Sequence, residues 1–309
     1  MNVLCIGSRL DRTFAHTIAR FALLDVPLVV VDLYDLLASG AISFNLERRT
    51  TTIEVANLSI DFADYSGVYS RAFDVSDGAP TDALRDRTRN AFHTLAFALR
   101  NDVAPRIVGR SGELSNLSKV FHLSLVRDLL AGFGILVPRS IVTNAGDELR
   151  AFIGDRSRFI VKGASAFKSS ADEFGNEHLS RLQEHLPVPA LVQQLISGPD
   201  VRVHIVNKDC FSEVVSSPEV DYRFAKRKRQ TTCRVPDFIE EACRALVQRM
   251  NTSFLGIDFK VEARTGKWYF LEANSMPAYH GYDKRCEFAI SNALGRFLSQ
   301  GEALYLPEK

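Results

Sequence analysis

Residues 254–274 read FLGIDFKVEARTGKWYFLEAN. The stretch divides into two apolar runs, Phe254 to Val261 and Lys267 to Asn274, around the polar segment Glu262 to Gly266. The pattern predicts two strands, interrupted by charge at Asp258 and Glu272. Side chains alternate along a strand, so Glu272 and Asn274 share a face, and Asp258 reaches the same spot if the strands pair. Two carboxylates and an amide oxygen are hard ligands suited to magnesium, whose shell is usually completed by substrate phosphates. The competing reading is a plain hairpin with exposed ends.

A magnesium–phosphate site also needs cations. Lys162 ends the strand-like run RFIVK and precedes GASAFKSS, where Gly163, Ser165, Ser169 and Ser170 offer donors and Lys168 a second cation. The spacing is not that of a P-loop, and a solvated loop explains it as well. Asp200 and Arg202, in GPDVRVH, lie two apart on one side of a predicted strand, able to meet a ribose and an anion or to form a surface ion pair. Arg223 opens a basic run with Lys226, Arg227, Lys228 and Arg229, either a solvated face or a local anion-handling loop.

The rest of the chain sets the frame. Its 309 residues are 46% hydrophobic and 24% charged, which excludes disorder and disulfide scaffolds and allows roughly two or three domains. Lysine plus arginine total 38 against 37 acids, a balance that weighs against stable nucleic-acid binding. Five cysteines without a CxxC pair read as thiols in a reducing compartment. The apolar region Phe21 to Leu37 is broken by Asp25, Asp32 and Asp35, so no membrane span is expected. The N-terminus lacks a signal-peptide pattern, and a cytoplasmic protein is expected.

Asn2 to Gly7, Thr13 to Leu24 and Pro27 to Leu33 predict strand, helix, strand, the opening of an α/β domain. The first turn, GSRLDR, is not a dinucleotide fingerprint. Asp82 is expected to cap a helix over Ala83 to Arg100, and the polar Arg110 to Asn116 to mark a boundary. A helix over Pro236 to Met250 should bury Phe238, Ala242, Leu246 and Val247, and a last helix should run from Cys286 to Leu298.

In order and spacing, SNLSK, GFGILVPRSIVTN, IVKGASAFKS, LVQQLISGPDVRVHIV, VDYR, LGIDF and FLEANSMP resemble the ATP-grasp superfamily. The likeness is closest to RimK-like carboxylate–amine ligases, which include enzymes that modify ribosomal peptides. It covers roughly Arg106 to Leu298. It implies an α/β and α+β chain, with an N-terminal pre-ATP-grasp domain over 1–112, a central lid subdomain over 113–195 and a C-terminal subdomain with the magnesium site over 196–309. The cofactors implied are ATP and two Mg2+ ions, with Mn2+ as a substitute. Lys119 and Lys162 match the nucleotide-contacting lysines, and Lys168 and Ser169 fall in the phosphate-covering loop. Gln193, Gln194, Leu195 and Ile196 resemble the hinge that reads adenine, and Asp200 the ribose-binding acid. Arg202 and Arg223 resemble phosphate and acceptor contacts, and Asp258, Glu272 and Asn274 the metal ligands. Lys162, Arg202 and Arg223 would serve catalysis. His280 is an acid/base candidate or a pocket-lining residue.

The activity implied is an ATP-dependent ligase. It would phosphorylate the carboxylate of a peptide side chain or small amino-acid-like substrate, join the acyl phosphate to an amine, and release ADP and phosphate. The alternatives are a small-molecule kinase on the same scaffold and a non-catalytic nucleotide-binding protein. A homo-oligomer is compatible with the resemblance.

Overall fold

The computed structural model describes residues 2–104, 106–109, 119–154, 158–164, 171–174, 185–222 and 225–301; of these, the side chains of 119–122 and 185–187 are not described. The first third carries β1 (Val3–Gly7), β2 (Leu28–Asp32), β3 (Ala41–Asn45), β4 (Thr50–Val55), β5 (Leu58–Asp61), β6 (Gly67–Ser70) and β7 (Ile107–Val108). A parallel sheet runs in the order β2-β1-β6-β7. Both its faces are covered, which is why the whole of β1 is buried and reads as an apolar run. Leu4 and Ile6 meet Leu95 and Leu99 of the helix Asp82–Asn101. Val3 and Cys5 meet Phe14 and Phe21 of the helix Arg12–Leu23, together with Leu294, Phe297 and Leu298 of the helix Ala289–Gln300. The end of the chain thus packs on the sheet that begins it.

Two expected helix ends shift. Thr81, not Asp82, caps the helix Asp82–Asn101, its hydroxyl accepting from the Leu84 N–H at 3.2 Å, while Asp82 pairs with Arg85 within the first turn at 2.6 Å. The predicted helix Cys286 to Leu298 begins only at Ala289, as Ala289–Gln300, because Glu287 and Phe288 take left-handed φ of 54° and 64°; the short helix His280–Arg285 before it was not predicted. The small antiparallel sheet β3-β4-β5 was not predicted.

The middle of the chain folds into a second sheet of β8 (Ser140–Ala145), β9 (Phe159–Gly163), β10 (Asp172–Phe174) and β11 (His185–Gln194), in the order β10-β9-β11-β8. A third holds β12 (Asp200–Val206), β13 (Asp209–Ser216), β14 (Arg229–Cys233), β15 (Phe254–Val261) and β16 (Trp268–Asn274), in the order β14-β13-β12-β15-β16. One face of this third sheet packs on the helices Lys119–Ala131 and Asp237–Arg249. The buried stripe of the latter begins at Ile239, which is fully buried; Phe238, one position round the helix, is 38% exposed and lies edge-on to Trp268 at the core margin.

The architecture is mixed α/β with several sheets, as expected. Among the described residues, no helix is long and apolar enough to cross a membrane. The expected boundary at 112/113 lies outside the described residues.

Candidate active site

Strand alternation gives the third sheet two unlike faces. Val201, Val203, Ile205, Ile257, Phe259 and Ala273 enter the core. The intervening residues put Asp200, Arg202, His204, Asp258 and Lys260 on the opposite face. Across the strands, Asp200 registers with Lys260, Arg202 with Asp258, Asp258 with Glu272, and Gly256 with Asn274. Strict alternation would put Phe270 on the same face as Glu272. A bulge after Asp258 resolves the conflict by pairing Phe259 with Phe270, so that Phe270 is fully buried in the core while Glu272 faces Asp258.

Four charges on β12 and β15 form two crossed pairs. The Arg202 guanidinium donates to the Asp258 carboxylate at 2.6 Å. Lys260 Nζ donates to both oxygens of Asp200, at 3.1 and 3.0 Å. Burial outweighs the lysine and pushes the Asp200 carboxyl up to about 6. Gly256 admits Arg202, because a Cβ there would sit 2.2 Å from its guanidinium. Asn274 Nδ2 donates to Glu272 Oε1 at 3.2 Å.

Two cavities meet at these carboxylates. The first, between the second and third sheets, has a volume of about 100 Å3 and is lined by Lys162, Gln193, Gln194, Leu195, Ile196, Asp200, Tyr222, Lys260, Asp258 and Glu272. The second is larger, about 570 Å3, and shares Tyr222, Asp258 and Glu272 with the first. Its other walls include Arg71, Arg202, Lys228, Arg285, Asn274, Met276 and His280, so cations predominate. Asp258 and Glu272 therefore stand where a group moving between the two chambers would pass.

The residues fit a magnesium ion in part. Among the described residues, no three His, Cys, Asp or Glu side chains cluster as a metal site. The donors are two carboxylates and an amide, a set that leaves most of an octahedral shell to water and phosphate oxygens, as magnesium favours.

Of the hinge candidates, Gln193 is buried, with its side chain accepting from Lys162 Nζ at 3.3 Å and donating to Ser140 Oγ at 3.0 Å. The Gln194 and Leu195 N–H groups donate to the Arg139 and Arg158 carbonyls at 2.8 and 3.0 Å, which fixes the hinge backbone beside the first cavity. Lys168, Ser169 and Arg223 lie outside the described residues, as does the side chain of Lys119, although its position opens a helix. His280 lines the second cavity and its Nδ1 is hydrogen-bonded to Thr13 Oγ1 at 3.0 Å; burial first, then His16 and Lys284, lower its pKa.

Sequence reasoning missed five contributors. Lys260 carried a signal, since it lies two residues after Asp258 and hence on the same face. Tyr222 and Tyr282 join through their hydroxyls at 3.0 Å, and Arg285 lies over the Tyr282 ring while donating to Glu213 at 2.8 Å. Arg71 comes from the end of β6, 205 residues from the Met276 carbonyl to which it donates at 3.2 Å; it also donates to the Pro277 carbonyl at 3.0 Å. No local pattern announces such a contact.

Asp11 holds Arg71 in place at 3.0 Å and caps the helix Arg12–Leu23 through the Thr13 and Phe14 N–H groups. Burial acts to raise its pKa, but Arg71 and the two N–H groups hold it below the ordinary value. A lowered folded pKa means a stabilisation present above the unfolded pKa and lost as pH falls through the folded one. Asn caps helices as well as Asp, so Asp11→Asn isolates the charge and should cost about 1–2 kcal/mol at pH 7. Urea unfolding of both proteins should show this gap narrowing as pH drops from about 5 toward 3; a constant gap would mean the charge is idle.

No protein-family model matches the chain, and no curated protein matches it by sequence. Solved structures do match over nearly the whole length. One is the ATP-grasp ligase PsnB complexed with a phosphomimetic variant of its minimal precursor, Mg and ADP, with 19% identity, TM-score 0.76, and coverage of 95% of this chain and 97% of that one. The RiPP-associated ATP-grasp ligase of Chryseobacterium gregarium, in complex with ADP and a leader and core peptide, has 17% identity, TM-score 0.77 and coverage of 98% of each chain. Macrocyclase MdnC from Microcystis aeruginosa MRC, bound with precursor peptide MdnA, has 15% identity, TM-score 0.78, and coverage of 97% of this chain and 100% of that one. The chain has the ATP-grasp fold.

Proposed function

We propose that the chain is an ATP-dependent ligase that activates a carboxylate of a peptide. The carrying observation is the meeting of two chambers at Asp258 and Glu272, one bounded by a fixed hinge and the other lined with cations. In this reading ATP occupies the first chamber, with Gln194, Leu195 and Ile196 along the base and Lys162 toward the phosphates. Asp258, Glu272 and Asn274 would hold magnesium, which offsets charge on the phosphates. The peptide carboxylate enters the second chamber, where Arg202 and Arg71 lie within reach of an anion. The carry-over of Lys119, Lys168, Ser169 and Arg223, and the division into 1–112, 113–195 and 196–309, belong to the same proposal.

The chemistry follows from the electrophile. A carboxylate resists attack, so its oxygen first takes the γ-phosphoryl group; the bond to the departing ADP breaks. A nucleophile, an amine or a hydroxyl, then attacks the acyl carbon and expels phosphate, while its proton passes to solvent. Arg202 stabilises charge on the transferring group through a guanidinium that is already oriented. The second chamber's size favours a peptide over a free amino acid, and the complexes of similar structures with precursor peptides support that choice. Cytoplasmic residence and the absence of membrane or nucleic-acid partners remain part of this proposal.

Mass spectrometry with ADP detection tests it. Purified protein, Mg-ATP and a library of acidic peptides should yield ADP, phosphate and a condensed peptide lighter by one water. A stable phosphorylated peptide without condensation would mean a kinase, and condensation without ADP would sink the mechanism.

A further inference from the structure

The first chamber contains a charge that ATP binding as described above does not use. Lys260 and Asp200 both line it, both are nearly buried, and Nζ contacts each carboxylate oxygen. They face each other across the β12–β15 ladder, so neither side chain has far to reach. The backbone beneath them is tightly set. Val261 N–H donates to the Pro199 carbonyl at 3.1 Å and Ala263 N–H to the Ser197 carbonyl at 2.9 Å, and a Cβ on Gly198 would fall 1.9 Å from the Val261 carbonyl.

Such a pair is more than a patch of neutralised charge. An ionised carboxylate has about four acceptor positions, and one ammonium bridging its two oxygens leaves positions open to other donors. The side accessible from the first chamber is where those donors would arrive. A vicinal diol supplies two hydroxyl donors at the right separation for one carboxylate, whereas the adenine edge has a single amino group and a phosphate offers only acceptors.

We propose that Lys260 is a positioning residue that orients the Asp200 carboxylate, ionised, toward the ribose hydroxyls of the bound nucleotide, and so sets discrimination between ribo- and deoxyribonucleotides. The proposal rests on the nucleotide reading of the first chamber and adds to it a residue and a specificity. Burial already pushes Asp200 up to about 6 with the lysine in place, so removing the ammonium favours the protonated acid, which has lost an acceptor.

Equilibrium binding of ATP, 2′-deoxy-ATP and 3′-deoxy-ATP to the full chain, with magnesium present, tests this. The unaltered protein should favour ATP over at least one deoxy analogue by about tenfold or more, the loss of one charge-assisted hydrogen bond. In Lys260→Met, and in the milder Lys260→Gln, that ratio should fall below about threefold, with ATP still bound and the folded near-UV spectrum kept. Lys260→Arg should restore much of it. A ratio unchanged in a folded Lys260→Gln protein overturns the proposal, as does equal binding of all three nucleotides by the unaltered chain; both leave the nucleotide reading standing. Loss of all nucleotide binding in Lys260→Gln also overturns it, because a ribose contact leaves those to base and phosphates. Failure of the unaltered chain to bind ATP removes the nucleotide reading itself.

Discussion

Glu272→Gln should reduce Mg-ATP-dependent ADP release by on the order of a hundredfold or more while leaving the thermal midpoint almost unmoved. The two effects separate for a structural reason. Glutamine keeps the Oε1 that accepts from Asn274 Nδ2 and keeps the volume that β16 presents opposite Asp258. What disappears is one negative charge of two at the junction of the chambers. In the proposed site magnesium would then meet Asp258 and an amide, and the phosphates would lose part of the field that fixes their cation. Glu262→Gln, in the exposed turn of the same hairpin, should leave ADP release unchanged. Equal losses in both variants would show that the hairpin carboxylates act on folding rather than chemistry.

The position of Glu272 also shows how far the sequence could be read. Asp258, Glu272 and Asn274 were legible because charge within an apolar strand is conspicuous and alternation fixes the face of each residue. The bulge that makes Glu272 compatible with a buried Phe270 was not legible, since the residues around it, FLE, include no glycine or turn residue to mark it. The strand–helix–strand opening of β1, the helix Arg12–Leu23 and β2 was legible in two short apolar runs around an amphipathic segment, but the sheet order was not. By contrast β3, β4 and β5 are short, and each turns only a few apolar side chains inward, such as Ile53 and Val55 of β4 and Ile60 of β5, so their alternation is too brief to stand out. For the site, residues on one hairpin were accessible to reasoning from spacing. Arg71 and Tyr282 were not, because they reach the second chamber from distant segments through side-chain contacts that only the folded chain creates.

Arg202→Met should make the fold less stable and at the same time more responsive to magnesium. Arg202 is buried; burial alone would lower its pKa, but Asp258 more than restores the charge, so the guanidinium remains cationic. Methionine fills much of the same space beside Gly256 and leaves Asp258 with its nearest cation gone. Removing one partner of a buried pair costs about 3–5 kcal/mol, and the lower end applies because Asp258 keeps some solvent contact. In the presence of EDTA the midpoint should therefore fall by roughly 4–6 °C. Magnesium should recover more of that loss than it adds to the unaltered protein, since in the variant it no longer competes with a guanidinium for Asp258. A double variant with Asp258→Asn should lose both the excess instability and the magnesium response, because the carboxylate charge is gone. Differential scanning calorimetry across a magnesium titration separates the cases. An identical magnesium shift in the unaltered chain and in Arg202→Met would mean that Arg202 and the cation occupy independent positions. A larger shift in the variant, accompanied by lost ADP release, would assign Arg202 two successive roles: holding Asp258 before the metal arrives, and stabilising the phosphoryl group after it.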